Sequence, residues 1–145
     1  MIPLLDPATG YLPPGVHPAV WSEVAPRFAV NSHRNRLITG LYDALKNLAG
    51  AGCRSVLLDG SFVTERALPR DYDGAWEPRG VDPDKLDPVL LDFTNARAAM
   101  KIKYGGELFP ASAAAAPGVL YREFFLKDRN GLSKGIVEID LGSLP

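Results

Sequence analysis

Asp71 and Asp73 stand two positions apart in the segment Asp71-Tyr72-Asp73-Gly74-Ala75-Trp76. Side chains alternate along a strand, so such a pair projects from one face. Two like charges held together are unfavourable unless a cation compensates them, and oxygen ligands at this spacing suit Mg²⁺ or Mn²⁺. Magnesium normally takes one or two carboxylates and completes its shell with substrate phosphates. Upstream, Gly60-Ser61 follows the apolar run Arg54 to Asp59. Glycine allows the backbone to approach a phosphate closely, and the Ser61 hydroxyl with adjacent amides at a helix start can bind an anion. Each signal alone is unspecific. A turn that holds phosphate and a strand that holds its metal together describe a site for phosphoryl or nucleotidyl transfer.

Elements on either side must position these groups. Asn31 and Ser32 supply N-cap oxygens, and Leu37, Ile38, Leu41, Tyr42, Leu45 and Leu48 recur at helical spacing, which predicts a helix over 32–49 ended by Gly50 and Gly52. The run 54–59 suits a buried strand, 62–67 a brief helix and 71–76 a second strand. Val89 to Tyr104 has helical composition and closes at Gly105-Gly106, before a short strand at Glu107–Pro110. Residues 111–118 read as a small-residue loop or helical turn, and Tyr121–Leu126 as strand or helix. Asp128-Arg129-Asn130-Gly131 is a turn leading to a strand over 134–141. Ahead of all these, Pro3, Pro7, Pro13, Pro14, Pro18 and Pro26 interrupt the first thirty residues too often for a long helix or central strand. That stretch reads as an extended arm, with a short helical turn at 21–28, whose apolar residues wrap the domain or a partner subunit. The expected organisation is an arm over 1–30 and an α+β domain over 31–145.

The arrangement Leu58-Asp59-Gly60-Ser61-Phe62-Val63-Thr64, then Pro69-Arg70-Asp71-Tyr72-Asp73, resembles the DNA polymerase beta-like nucleotidyltransferase superfamily. The likeness is to its minimal, single-domain members, among them short bacterial and phage proteins of that fold. The specific motif covers residues 58–76, with Phe62 to Arg70 separating the serine from the aspartate pair. The resemblance implies a small mixed β-sheet with helices packed mainly on one face. It also implies a metal-dependent transfer of an NMP group from an NTP to a hydroxyl on a protein or RNA. Gly60 and Ser61 would then hold the phosphates, and Asp71 and Asp73 the Mg²⁺ or Mn²⁺. A third carboxylate on a following strand would complete the site; Glu107 is favoured, with Glu138 and Asp140 as alternatives. Many minimal members carry a basic residue soon after Gly-Ser; here Arg66 is the candidate. The alternative function is a non-catalytic module of the same fold, such as one component of a toxin-antitoxin pair, assembling through its N-terminal arm.

The remaining chemistry-bearing residues carry less. His17 and His33 have no metal-ligand partner at a recognisable spacing, so a histidine-based triad has no support. Cys53 is the only cysteine, which excludes an internal disulfide and a cysteine-based zinc site. Asp82, Asp84 and Asp87 lack the glycine and glutamate of an EF-hand loop. Arg97, Lys101, Lys103 and Tyr104 lie beside the candidate carboxylate, although basic residues near a helix C-terminus also favourably oppose its dipole. The 145 residues suit one domain, 46% hydrophobic and 23% charged is ordinary for a globular protein, and a net charge of -1 gives no global attraction to nucleic acid or membranes. The N-terminus lacks a basic, then apolar signal pattern, and no run approaches the roughly 20 apolar residues of a membrane span. A cytoplasmic location is the expectation.

Overall fold

In the computed structural model, which describes residues 1–145, strand β1 (Gly15–Ala19) leads into helices α1 (Trp21–Phe28) and α2 (Ser32–Gly50). Strand β2 (Ser55–Asp59) ends at a 3₁₀ turn over Ser61–Val63, and β3 (Tyr72–Trp76) follows. After α3 (Thr94–Tyr104) and β4 (Gly106–Pro110), a small hairpin of β5 (Ala114–Ala116) and β6 (Val119–Leu120) precedes α4 (Tyr121–Phe124) and β7 (Gly135–Asp140). The main sheet has the order β1-β7-β2-β3-β4. The pairs β1/β7 and β3/β4 are parallel, while β2 is antiparallel to both of its neighbours. The chain is therefore a mixed α+β protein with a five-stranded sheet.

Helix α2 begins where Asn31 Oδ1 accepts a hydrogen bond from the Arg34 amide at 2.8 Å, the usual way an orphan N-terminal donor is satisfied. It buries Leu37, Ile38, Leu41, Ala44, Leu45 and Leu48 against one face of the sheet. Each buried leucine or isoleucine contributes roughly 1.5–3 kcal/mol. From the sheet, Val56, Leu58, Tyr72, Trp76, Leu108, Val137 and Ile139 meet that stripe. Gly40 permits the closest contact between helices, since a Cβ there would lie 2.1 Å from the Tyr104 carbonyl oxygen. The opposite sheet face carries a smaller cluster of Ala75, Phe109, Ala111, Phe125 and Ile136, partly covered by Leu57, Tyr121 and Leu126. There the rings of Phe109 and Tyr121 stack with centroids 4.1 Å apart.

Two expectations are corrected. The helical turn expected at 21–28 is α1 and the apolar residues of the first thirty pack on the domain as expected, but the segment is part of the fold and not an arm beside it: Ile2, Leu12, Ala19, Trp21, Val24 and Phe28 belong to the main core, and β1 is an edge strand of the sheet. Pro18, which lacks an amide donor, is compatible with an edge position. The helix expected from Val89 begins later and irregularly. Prolines and aspartate caps break 83–92 into two 3₁₀ turns, with Asp82 accepting from the Asp84 amide and Asp87 from the Val89 amide. Asn95, Ala96 and Arg97 then all have positive φ, between 51° and 61°, a conformation costing roughly 1–2 kcal/mol per non-glycine residue. Regular α-helix starts only after Arg97.

Candidate functional site

Cross-strand partners in a sheet share a face. Asp59 on β2 pairs in register with Asp73 on β3, and Asp73 pairs with Glu107 on β4. Three carboxylates thus stand side by side across three strands, on the face bearing the smaller core. Asp71, just before β3, adds a fourth. Burial, and then the charges of Asp71, Glu107 and Asp59, push the Asp73 carboxyl up to about 7, with Lys134 opposing the shift. Asp71 is also raised, first by burial and then by Glu107. The Asp-X-Asp pair is therefore half-buried and electrostatically crowded.

Gly60 follows Asp59 with φ 88° and ψ -172°, a region that is essentially glycine-only. A Cβ there would sit 2.8 Å from Asp73 Oδ2. Only glycine lets the turn pass this close to the aspartate, so the Gly-Ser turn and the Asp-X-Asp strand are in direct apposition. The turn is fixed from below by Arg34, which is 2% exposed. Its guanidinium donates to the carbonyls of Phe28, Ser61, Phe62, Thr64 and Arg66 at 2.6 to 3.5 Å, and lies 5.1 Å from the Phe62 ring centroid. This grip on successive carbonyls gives a reason why the helix expected over 62–67 amounts to one 3₁₀ turn.

A cleft of about 1030 Å³ opens over Asp59, Gly60, Ser61 and Asp73. Its far wall is the turn 127–131, anchored where the Tyr11 hydroxyl donates to Asp128 Oδ2 at 2.9 Å. Arg66, Lys127 and Arg129 line this cleft, and none has an acidic partner within ion-pair distance. Deeper in, Lys134 donates to Asp59 Oδ2 at 3.0 Å. Burial raises the Asp59 carboxyl against the attraction of Lys134, and Asp59 Oδ1 is buried without any hydrogen-bond partner.

Of the expected site residues, Gly60, Ser61 and Asp73 line one cleft, and Asp71 lies outside that lining but close enough for its charge to act on Asp73. Glu107 stands beside Asp73, but Arg97 holds its Oε2 at 3.1 Å and Lys101 its Oε1 at 3.0 Å. It is thus not a free ligand. Lys103 and Tyr104 turn away to Asp87. Asp140 pairs with Ser55 at the opposite end of β2 from Asp59 and caps the Gly142 amide, while Glu138 pairs with Leu57. Neither joins the Asp71–Asp73 pair. Arg66 reaches the cleft as its position after Gly-Ser suggests.

Asp59, Lys134 and Arg34 contact this site, and spacing did not single them out. Asp59 is a carboxylate ending an apolar strand. Arg34 lies three and four residues before Leu37 and Ile38, so it falls on the buried stripe; a cation there is the one local signal for it. Lys134 is brought to Asp59 only by the pairing of β7 with β2.

Residues 3–140 match DUF6932, described as a family of unknown function. The chain belongs to that family. No curated protein and no solved structure matches it.

No three histidine, cysteine, aspartate or glutamate side chains converge closely enough to hold a metal ion by themselves. The site of this DUF6932 chain nevertheless fits a hard cation that brings its own phosphate ligands. Asp71 and Asp73 lack ion-pair partners, Asp73 is strongly disfavoured as an isolated anion, and Asp59 presents an orphaned buried oxygen beside it.

Proposed function

We propose that this chain binds a nucleoside triphosphate together with Mg²⁺ or Mn²⁺ and transfers its NMP group to a hydroxyl of a protein or RNA acceptor, on a nucleotidyltransferase-like fold. The observation that carries this is the apposition of the Gly60-Ser61 turn to Asp73 in a cleft lined by Arg66, Lys127 and Arg129. Asp71 and Asp73 would hold the metal. When bound, the metal neutralises charge that builds on the phosphate oxygens during in-line attack. The amides and hydroxyl of the Gly60-Ser61 turn orient the phosphates, and Arg34 keeps that turn in place from the core side. The three unpaired cations attract and retain a polyanion, since unsatisfied charges at a cleft focus the field there.

A second reading is favoured by one observation: both oxygens of Glu107 are occupied by Arg97 and Lys101. A carboxylate with both oxygens held by cations has no free oxygen with which to take a proton from an acceptor hydroxyl. The chain would then bind a nucleotide and act through a partner, as one component of a two-protein pair of the toxin-antitoxin kind. No helix is long and apolar enough to cross a membrane.

Calorimetric titration with each NTP, with and without Mn²⁺, tests the shared part of both readings. Binding that requires the metal and is lost in Asp71→Ala supports them, and metal-dependent binding that survives Asp71→Ala rejects the site. Incubation with α-labelled NTPs and cell extract then separates enzyme from binder, since only the enzyme leaves a labelled acceptor.

A further inference from the structure

We infer that Lys134, seated on Asp59, is a built-in cation of this site that meets the phosphates of a bound nucleotide and restricts the site to a single divalent ion, an inference that rests on the nucleotide-binding reading above. Lys134 is held at both ends. Its amide donates to the Leu126 carbonyl at 2.9 Å, and its ammonium reaches Asp59 Oδ2 at 3.0 Å with the side chain only 17% exposed.

A buried ion pair is weak as a device for stability, since apolar residues of similar volume often serve as well or better. This one lies in the wall of the cleft beside Gly60, Ser61 and Asp73. Its carboxylate is only half engaged, because Asp59 Oδ1 has no partner. Packing alone does not account for it. Recognition of phosphate does: an ammonium on a flexible stem is a point charge suited to phosphate oxygens. Asp59 holds that charge in the cleft that the Gly60-Ser61 turn also lines.

The same arrangement limits the metal. Two-metal phosphoryl-transfer sites place their ions about 3.5–4 Å apart, which calls for carboxylates able to serve both. Here Asp73 has a neighbour in register on each side. On one side both oxygens of Glu107 are held by Arg97 and Lys101, and on the other Lys134 holds one oxygen of Asp59. Only Asp71 and Asp73 have no protein cation on them, and Lys134 supplies positive charge on the β2 flank, next to the free Oδ1 of Asp59, where a second ion would otherwise sit.

Equilibrium dialysis of the full chain against Mn²⁺ and the α,β-methylene analogue of ATP counts both ligands directly. One Mn²⁺ per bound nucleotide is expected, and two would overturn the inference. A double variant, Asp59→Asn with Lys134→Met, removes both charges together, so that no buried charge is stranded. Its nucleotide affinity should fall at least tenfold with the circular dichroism spectrum retained; unchanged affinity in the folded variant would overturn the role given to Lys134. Wild-type chain that retains no nucleotide at all overturns the binding reading as well. Asp71-dependent binding with two Mn²⁺ overturns only the role given to Lys134.

Discussion

Replacing Asp73 by asparagine should stabilise the metal-free protein at alkaline pH while abolishing its metal-dependent nucleotide binding. The Asp73 carboxyl is pushed from an ordinary 3.8 to about 7, chiefly by burial and then by Asp71, Glu107 and Asp59. At about 1.4 kcal/mol per tenfold change in proton affinity, that difference corresponds to roughly 4 kcal/mol. Asp73 is half-buried at the edge of an open cleft, so water screens part of it, and about 2–3 kcal/mol is the better expectation. The sign follows from linkage. The folded protein binds this proton more tightly than the unfolded chain, so the associated stability is complete below the ordinary carboxylate pKa and is lost as pH rises through about 7. Urea unfolding without divalent metal should therefore show wild type losing stability between about pH 4.5 and pH 8, with Asp73→Asn losing much less. At pH 8 the variant should exceed wild type by about 2–3 kcal/mol, and near pH 4.5 the two should nearly coincide. Mn²⁺ with an NTP analogue at a hundred times its dissociation constant should restore about 2.7 kcal/mol to wild type and nothing to the variant. A destabilised variant at pH 8, or an equal gain at both pH values, would refute the electrostatic picture of the site.

Two further substitutions probe how the turn is held. Gly60→Ala should destabilise by roughly 1–3 kcal/mol in thermal melts, because φ 88° with ψ -172° is forbidden to alanine, and nucleotide affinity should fall with it as the added carbon, 2.8 Å from Asp73 Oδ2, parts the turn from the strand; full affinity would show that their apposition is dispensable. Arg34→Met should cost about 3–5 kcal/mol in urea unfolding, since an apolar side chain strands the carbonyls of Ser61, Phe62, Thr64 and Arg66 in the interior, and a loss below about 1 kcal/mol would mean that water replaces the guanidinium.

What the sequence reveals of this fold depends on how local the cause is. Helix α2 was expected over 32–49 and runs Ser32–Gly50, because its cap, its apolar stripe and its terminal glycines all lie within twenty residues. Strands β2, β3, β4 and β7 fall within two residues of their expected limits for the same reason. Strand β1 escaped notice because Gly15-Val16-His17-Pro18-Ala19 carries little β propensity, and its order comes from pairing with β7, some 120 positions away. The left-handed residues 95–97 were hidden in a stretch of good helix formers, where composition favours an ordinary helix that the caps at Asp87 and Asp92 instead delay.

The site divides along the same line. Gly60-Ser61 and Asp71-Asp73 are legible because each depends on adjacent residues, and a turn passing close to a strand needs glycine wherever it occurs. The neutralisation of Glu107 is not legible, since Arg97 and Lys101 are unremarkable helix residues until α3 and β4 are laid side by side. Lys134 and Asp59 are 75 positions apart and meet only because β7 runs antiparallel to β2. The long-range pairs are also the ones that set the charge around the motif: they leave Asp71 and Asp73 unpaired, engage the carboxylates on both flanks, and place one ammonium in the wall of the cleft. A motif read along the chain marks where a cation would sit. The sheet register decides which of the neighbouring carboxylates already carry a cation of the protein's own.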